Sequence, residues 1–232
     1  MSKLAIIPAR GGSKRIPMKN IKNFSGKPII AYSIEAALSS NLFDEVMVST
    51  DNFEIAEIAK QYGATVPFFR SEENSNDFAG TVDVLLEVMQ HYESQNRTFE
   101  TACCIYPTAP FATPSLLVEG YNLLESQNYS TVFPVVEFNN PIQRSLKIIE
   151  NGKVEMVWPE FLTSRSQDLP KRYHDSGLFY WFRPDNLKVE RKLFCDNSGV
   201  LIISNLASHD IDSVEDWEIA ELKYRRLMSL NK

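Results

Sequence analysis

The sequence predicts a three-layer α/β fold, with a mostly parallel but mixed sheet and helices on both faces. Three observations lead there. Short apolar runs alternate with amphipathic helical stretches as far as residue 126. Past residue 131 the rhythm changes to closely spaced strands, two of them joined by Asn151-Gly152, a strong hairpin signal. A last amphipathic stretch after Ser213 then closes the chain. Its 232 residues and 44% hydrophobic content are enough for one sizeable core, so we expect a single domain over 1–232, with an excursion at about 138–175.

The elements follow in order. Residues 3–8 (KLAIIP) form a short apolar run that reads as a buried strand. A polar loop reaches Gly26; Pro28 then suits a helix's first turn, and Ile30, Ile34 and Leu38 make its apolar stripe. Residues 45–50 read as a second strand, 54–62 as a helix and 66–69 as a short third strand. Val82, Leu85, Leu86 and Met89 place a helix over 81–92. Residues 101–106 give a fourth strand, and Thr113-Pro114 supplies an N-cap and proline start for a helix to about 126. Strands are expected at 131–138, 145–150, 153–158, 177–182 and 200–204. Ser213, with Asp216 three residues on, starts the closing helix through Trp217, Ala220, Tyr224 and Leu227.

Charge narrows the function. The chain has 24 Lys+Arg against 30 Asp+Glu, a formal −6, and a pI near 5.2, a poor balance for a general nucleic-acid binder. Yet residues 1–34 hold seven basic side chains (Lys3, Arg10, Lys14, Arg15, Lys19, Lys22, Lys27) and no acid. Such asymmetry points to a small anionic ligand. No apolar stretch approaches membrane-spanning length, and the run at residues 4–7 is too short for a signal-peptide core. Three cysteines, two of them adjacent (Cys103, Cys104), do not form a disulfide framework and read as reduced and mostly buried. A cytoplasmic protein is expected.

A loop after the first strand of such a sheet lies at its carboxyl edge, where open α/β folds bind ligands. Gly11-Gly12 offers backbone N–H groups close access to an anion, because no Cβ intervenes. Arg10 has the fork geometry for phosphate oxygens, and Lys19 is a compact charge that follows a phosphate during reaction. The alternative is a solvated basic loop whose glycines serve only a turn. The loop is neither a Walker A motif nor a dinucleotide fingerprint.

The run IPARGGSKRIPMKNIK resembles the signature I-P-A-R-x-x-S-K-x-[IL]-P-x-K-N of the CMP-sialic acid synthetases, the acylneuraminate cytidylyltransferase family. Further matches keep the same order along nearly the whole chain: VSTDN (48–52), FRSEE (69–73), YPTAPF (106–111) and HDIDSVED (209–216). Within the family the chain is most similar to the members acting on pseudaminic acid, through SKRIP, PTAPF and YHDSGLFYW. The resemblance implies a Rossmann-like nucleotidyltransferase fold. It also implies transfer of CMP from CTP to the anomeric hydroxyl of a nine-carbon 2-keto sugar acid, releasing pyrophosphate. Acylneuraminate or legionaminate activation, KDO or sugar-1-phosphate nucleotidyl transfer, and a non-catalytic nucleotide-binding regulatory module are the alternatives.

At matching positions, Arg10 and Ser13 would hold the triphosphate and Lys19 the transferring phosphate. Asn20 would meet the ribose and Arg70 the cytidine end, with Gly11 and Gly12 giving backbone access. Asp210 and Asp212, at i and i+2 of an extended segment, share a face and suit a Mg²⁺ completed by phosphate and water. The residues alone read equally well as a helix-capping turn; the family motif favours the metal. Tyr106 stands where sialate enzymes usually place glutamine. For Arg165 and His174, contact with the sugar acid competes with a structural or surface role; Asp77 and Thr81 match a loop near the sugar, against a plain helix N-terminus. The excursion carries Phe138, Ile142, Trp158 and Phe161, too many apolar side chains for a solvated loop. The family's excursion crosses to a second subunit, so the resemblance implies a two-fold homodimer.

Overall fold

A computed structural model describes residues 2–230. The chain opens with β1 (Lys3–Pro8), a small antiparallel pair β2 (Asn23–Phe24) and β3 (Lys27–Pro28), and helix α1 (Ile29–Ser39). It continues through β4 (Glu45–Ser49), α2 (Phe53–Gln61), α3 (Thr81–Ser94), β5 (Thr101–Ile105), α4 (Pro114–Ser126) and β6 (Thr131–Glu137). Strands β7 (Leu146–Ile148) and β8 (Val154–Met156) form a separate hairpin. The chain then returns as β9 (Tyr173–Asp175), β10 (Phe179–Phe182), α5 (Pro184–Glu190), β11 (Ser198–Ile203) and α6 (Val214–Leu230).

The main sheet runs β11-β6-β10-β5-β1-β4, with β9 also paired to β6. β1 pairs in parallel with β4 and β5, whereas β10 is antiparallel to both β5 and β6. Alternation along β1 divides the core. Ala5 and Ile7 pack on the face covered by α1, α4 and α6; Leu4 and Ile6 pack on the face covered by α3 and α5. Cys103 and Cys104 are fully buried on opposite faces, so they cannot pair, and burial pushes both thiols upward. From β1 the chain crosses to β4 on one side and later to β5 on the other. That reversal puts a crevice at the carboxyl ends of β1 and β5.

The predicted helix starts hold. Thr113 accepts the Leu116 N–H (3.2 Å), and Ser213 and Asp216 bond reciprocally, Asp216 N–H to Ser213 Oγ at 3.1 Å and Ser213 N–H to Asp216 at 2.8 Å. The hairpin turns at Asn151 and Gly152, both at positive φ (62° and 72°). The expected strand at 66–69 does not form. Thr65 makes one parallel bridge to Met47, and Pro67, which has no N–H, cannot extend the ladder. Helix α5 was not expected, although Pro184 at its start and Asp185 in its first turn are the usual signals.

Candidate active site

The loop after β1 and the residues after β5 enclose a cavity of about 450 Å³ at the crevice. Arg10, Ser13, Lys19, Asn20, Asp77 and Tyr106, all expected at the site, line it together. A larger cavity of about 620 Å³ lies between the 71–79 segment and α3. Its arginine, Arg191, is already paired with Asp83 at 3.0 Å, and none of the opening loop's cations reaches it. The smaller cavity is therefore the better candidate for an anionic ligand.

Lys19 is the least exposed cation of the lining. Its Nζ donates to the Ile211 carbonyl at 2.7 Å and stands 3.9 Å from Asp212. Burial lowers its pKa below the usual 10.5, and the Asp212 and Asp210 carboxylates oppose that fall. Asp212 also pairs with Arg15 at 2.9 Å. Ile211 is buried while Asp210 and Asp212 reach solvent, the alternation expected of two carboxylates sharing one face. Lys19 and Arg15 thus join the opening loop to the acidic segment before α6.

Arg10 donates to the Asn76 carbonyl (3.0 Å) and to Asp77 (2.8 Å), and Lys14 also pairs with Asp77. Hydrogen bonds from Lys14 and Arg10 hold the Asp77 carboxyl below its ordinary value. The Asn20 amide, almost fully buried, donates to the Arg10 carbonyl at 2.9 Å and so braces the loop.

The glycine pair divides. The Gly11 N–H is donated to Asp51 at 2.8 Å, so it is not free for an anion, contrary to the sequence expectation. A Cβ on Gly11 would lie 2.9 Å from Asn52 Cβ, so its glycine is required by close approach to the α2 cap. A Cβ on Gly12 would meet nothing within 4 Å, which leaves its backbone open.

Tyr106 shares a hydrogen bond with Thr81 (3.0 Å) at the start of α3, and burial raises its hydroxyl pKa to about 12. Its carbonyl accepts from Ser33 at 2.7 Å. Arg70 lies outside the cavity lining. Its buried guanidinium donates to Ser49 Oγ (3.0 Å) and to the Ser49 carbonyl (2.5 Å) at the end of β4. His174, on β9, bonds the Asp175 carbonyl through Nδ1 (2.8 Å) and tilts against Phe138. Arg165 is exposed in the excursion and pairs with Asp168 at 2.6 Å; it does not reach its own chain's cavity. The sequence reading gave no role to Lys14, Arg15 or Asp51. The acid-free stretch held the signal for the first two; the matched VSTDN run contains Asp51 but did not say what it touches.

A cation-lined crevice at this switch point defines a nucleotide-binding α/β enzyme fold. The chain belongs to the cytidylyltransferase family, whose profile matches residues 4–192. It is 42% identical over 225 residues, 97% of each chain, to the pseudaminic acid cytidylyltransferase of Campylobacter jejuni. It is 30% identical to the CMP-N,N'-diacetyllegionaminic acid synthase of Legionella pneumophila, over 99% of this chain and 97% of that one. Among solved structures, CMP:2-keto-3-deoxy-manno-octonic acid synthetase complexed with CTP shares the fold over 100% of both chains, at TM-score 0.71 and 17% identity.

Proposed function

We propose that this cytidylyltransferase transfers CMP from CTP to the anomeric hydroxyl of pseudaminic acid, releasing pyrophosphate. The observation that carries the reading is Lys19, held at the cation-lined cavity and against the Asp210–Asp212 segment. The choice of sugar rests on the 42% identity to pseudaminic acid cytidylyltransferase. It is supported by Tyr106, which lines the cavity where sialate enzymes usually place glutamine.

The anomeric oxygen attacks the α-phosphorus and pyrophosphate leaves in line, so negative charge builds on the phosphoryl and leaving oxygens. Arg10 and Ser13 bind the triphosphate, and Gly12 leaves room for it. Lys19 follows the transferring phosphate; Asn20 fixes the loop that carries Arg10.

Asp210 and Asp212 fit a Mg²⁺ ion. Two hard carboxylates alternate onto one face around a buried Ile211, and no third His, Cys, Asp or Glu among the described residues completes a cage. A cation held there takes its remaining ligands from phosphate and water, as Mg²⁺ does. Bound Mg²⁺ would supply charge shielding at the α-phosphate.

We further propose a homodimer built on the excursion. The β7–β8 hairpin exposes Leu146 (61%), Ile148 (80%) and Val154 (59%), an apolar face suited to a second copy. No helix of the described residues is long and apolar enough to cross a membrane.

The test is pyrophosphate release from CTP with pseudaminic acid and N-acetylneuraminic acid at equal concentration. Pseudaminic acid is expected to be the preferred acceptor by a wide margin. Preference for N-acetylneuraminic acid would overturn the choice of sugar, and no release with any nine-carbon sugar acid would overturn the activity.

A further inference from the structure

Beside the cavity, on the α3 face of the sheet, Tyr106, Tyr180, Phe133 and Phe194 form an aromatic wall. Tyr106 and Tyr180 meet edge-on at 5.6 Å, and Phe133 lies 5.6 Å from Tyr180 and 4.7 Å from Phe194. At the rim of that wall stands Asp175, the last residue of β9, paired in register with Val135 of β6. The carboxyl ends of β5 and β6 and the strand β9 thus bring Tyr106 and Asp175 to one edge of the sheet.

Asp175 is fixed by two neutral donors. The nearly buried Tyr180 hydroxyl donates to Oδ2, and the Gly177 N–H donates to Oδ1 at 3.0 Å. Gly177 has φ +66°, so the backbone bends round the carboxylate. The side chain is partly buried, yet among the described residues no cation lies within ion-pair distance of it. The other acid near the acceptor side, Asp77, is already engaged by Arg10 and Lys14. Removing a carboxylate from water without a counter-ion is unfavourable. A carboxylate has about four lone-pair positions, and Tyr180 and Gly177 use two of them.

We propose that Asp175 is a specificity-determining residue for the acceptor: its carboxylate receives an acylamino N–H of the sugar acid, while Tyr180 holds it in position. Charge gives the orientation. The sugar's own carboxylate is repelled by Asp175 and drawn toward the cations of the opening loop, which turns the sugar's donor groups toward the aromatic rim. An acceptor lacking an N–H at that place covers the carboxylate's remaining lone pairs without a donor, the arrangement that discriminates most strongly. This inference rests on the sugar-acid activity proposed above.

The experiment measures steady-state KM for CTP and for the sugar acid in wild type, Asp175→Asn and Tyr180→Phe, with a thermal melt of each. A lost charge-assisted hydrogen bond predicts a rise in the sugar's KM on the order of 10- to 100-fold in Asp175→Asn. KM for CTP should be unchanged, and preference between pseudaminic and N-acetylneuraminic acid should narrow. Tyr180→Phe keeps the carboxylate but frees it, so a smaller rise in the same constant is expected. An unchanged sugar KM in a folded Asp175→Asn protein overturns the inference. If that variant does not fold, an unchanged sugar KM in Tyr180→Phe does so. Equal increases in both KM values indicate a merely structural role and also overturn it. Wild type that turns over neither sugar defeats the activity reading first, and the inference with it.

Discussion

Replacing Lys19 by alanine removes one charge from the cavity and one hydrogen bond from the contact between two distant segments. The first loss acts on the transition state. A preorganised donor aimed at developing phosphoryl charge is worth roughly 10²–10³ in kcat, or about 2.7–4 kcal/mol. The second acts on folding. Lys19 Nζ is 2.7 Å from the carbonyl of the buried Ile211, and truncation leaves that carbonyl without its donor, a cost of about 1–3 kcal/mol. Since 1 kcal/mol moves Tm by about 2–4 °C in a chain of this size, a fall of several degrees is expected. Pyrophosphate release at saturating CTP measures the first effect and a thermal melt the second. Lys19→Arg supplies a further check by pH. The active form of Lys19 is the cation, and its pKa in the free enzyme lies below 10.5, so wild-type kcat/KM for CTP should fall on the alkaline side before a free lysine would deprotonate. In Lys19→Arg, which does not titrate there, that limb should move upward. Wild-type kcat in a folded Lys19→Ala protein would refute the catalytic role. An alkaline limb unmoved in Lys19→Arg would refute its assignment to this residue.

Asp212→Asn should remove most Mg²⁺-dependent turnover, because the amide keeps the shape without the charge; retained activity with unchanged metal dependence would leave Asp212 only its pairings with Arg15 and Lys19. Gly11→Ala should lower Tm by an amount corresponding to about 1–3 kcal/mol, since its Cβ would meet Asn52 at 2.9 Å, whereas Gly12→Ala should melt like wild type. Light scattering should return twice 26.5 kDa at micromolar concentration, and Ile148→Asp should shift it toward the monomer, given that Ile148 is 80% exposed. A wild-type monomer with full activity would count against the dimer.

The sequence showed most where local chemistry decides the structure. Thr113-Pro114, Ser213 with Asp216, and Asn151-Gly152 fix their caps and turn by their own side chains and φ values, so each was readable in place. The continuous apolar run Leu4, Ala5, Ile6, Ile7 likewise marked a buried strand, and the structure covers it on both faces. It failed where one atom vetoes a pattern. Residues 66–69 are apolar enough for a strand, but Pro67 withholds the N–H. It also failed at β9, whose three residues are too few for a periodic signal and which exists because β6 offers an edge beyond β10.

The candidate site divides along the same line. That Arg10 and Lys19 share one cavity, with Lys19 against the Asp210–Asp212 segment, was foreshadowed by residue types and family motifs. What each side chain touches was not, because those contacts join segments far apart in the chain. Arg15 meets Asp212, Arg10 meets Asp77, and Gly11 gives its N–H to Asp51. The first two pairs share a physical sense. Cations gathered to bind a triphosphate repel one another without a ligand, and here the carboxylates of Asp77 and Asp212 stand beside them. In the proposed reaction the triphosphate would compete with those carboxylates for the same donors. Affinity for CTP is therefore set by a difference between two anionic partners, and not by the count of basic residues that first marked the loop.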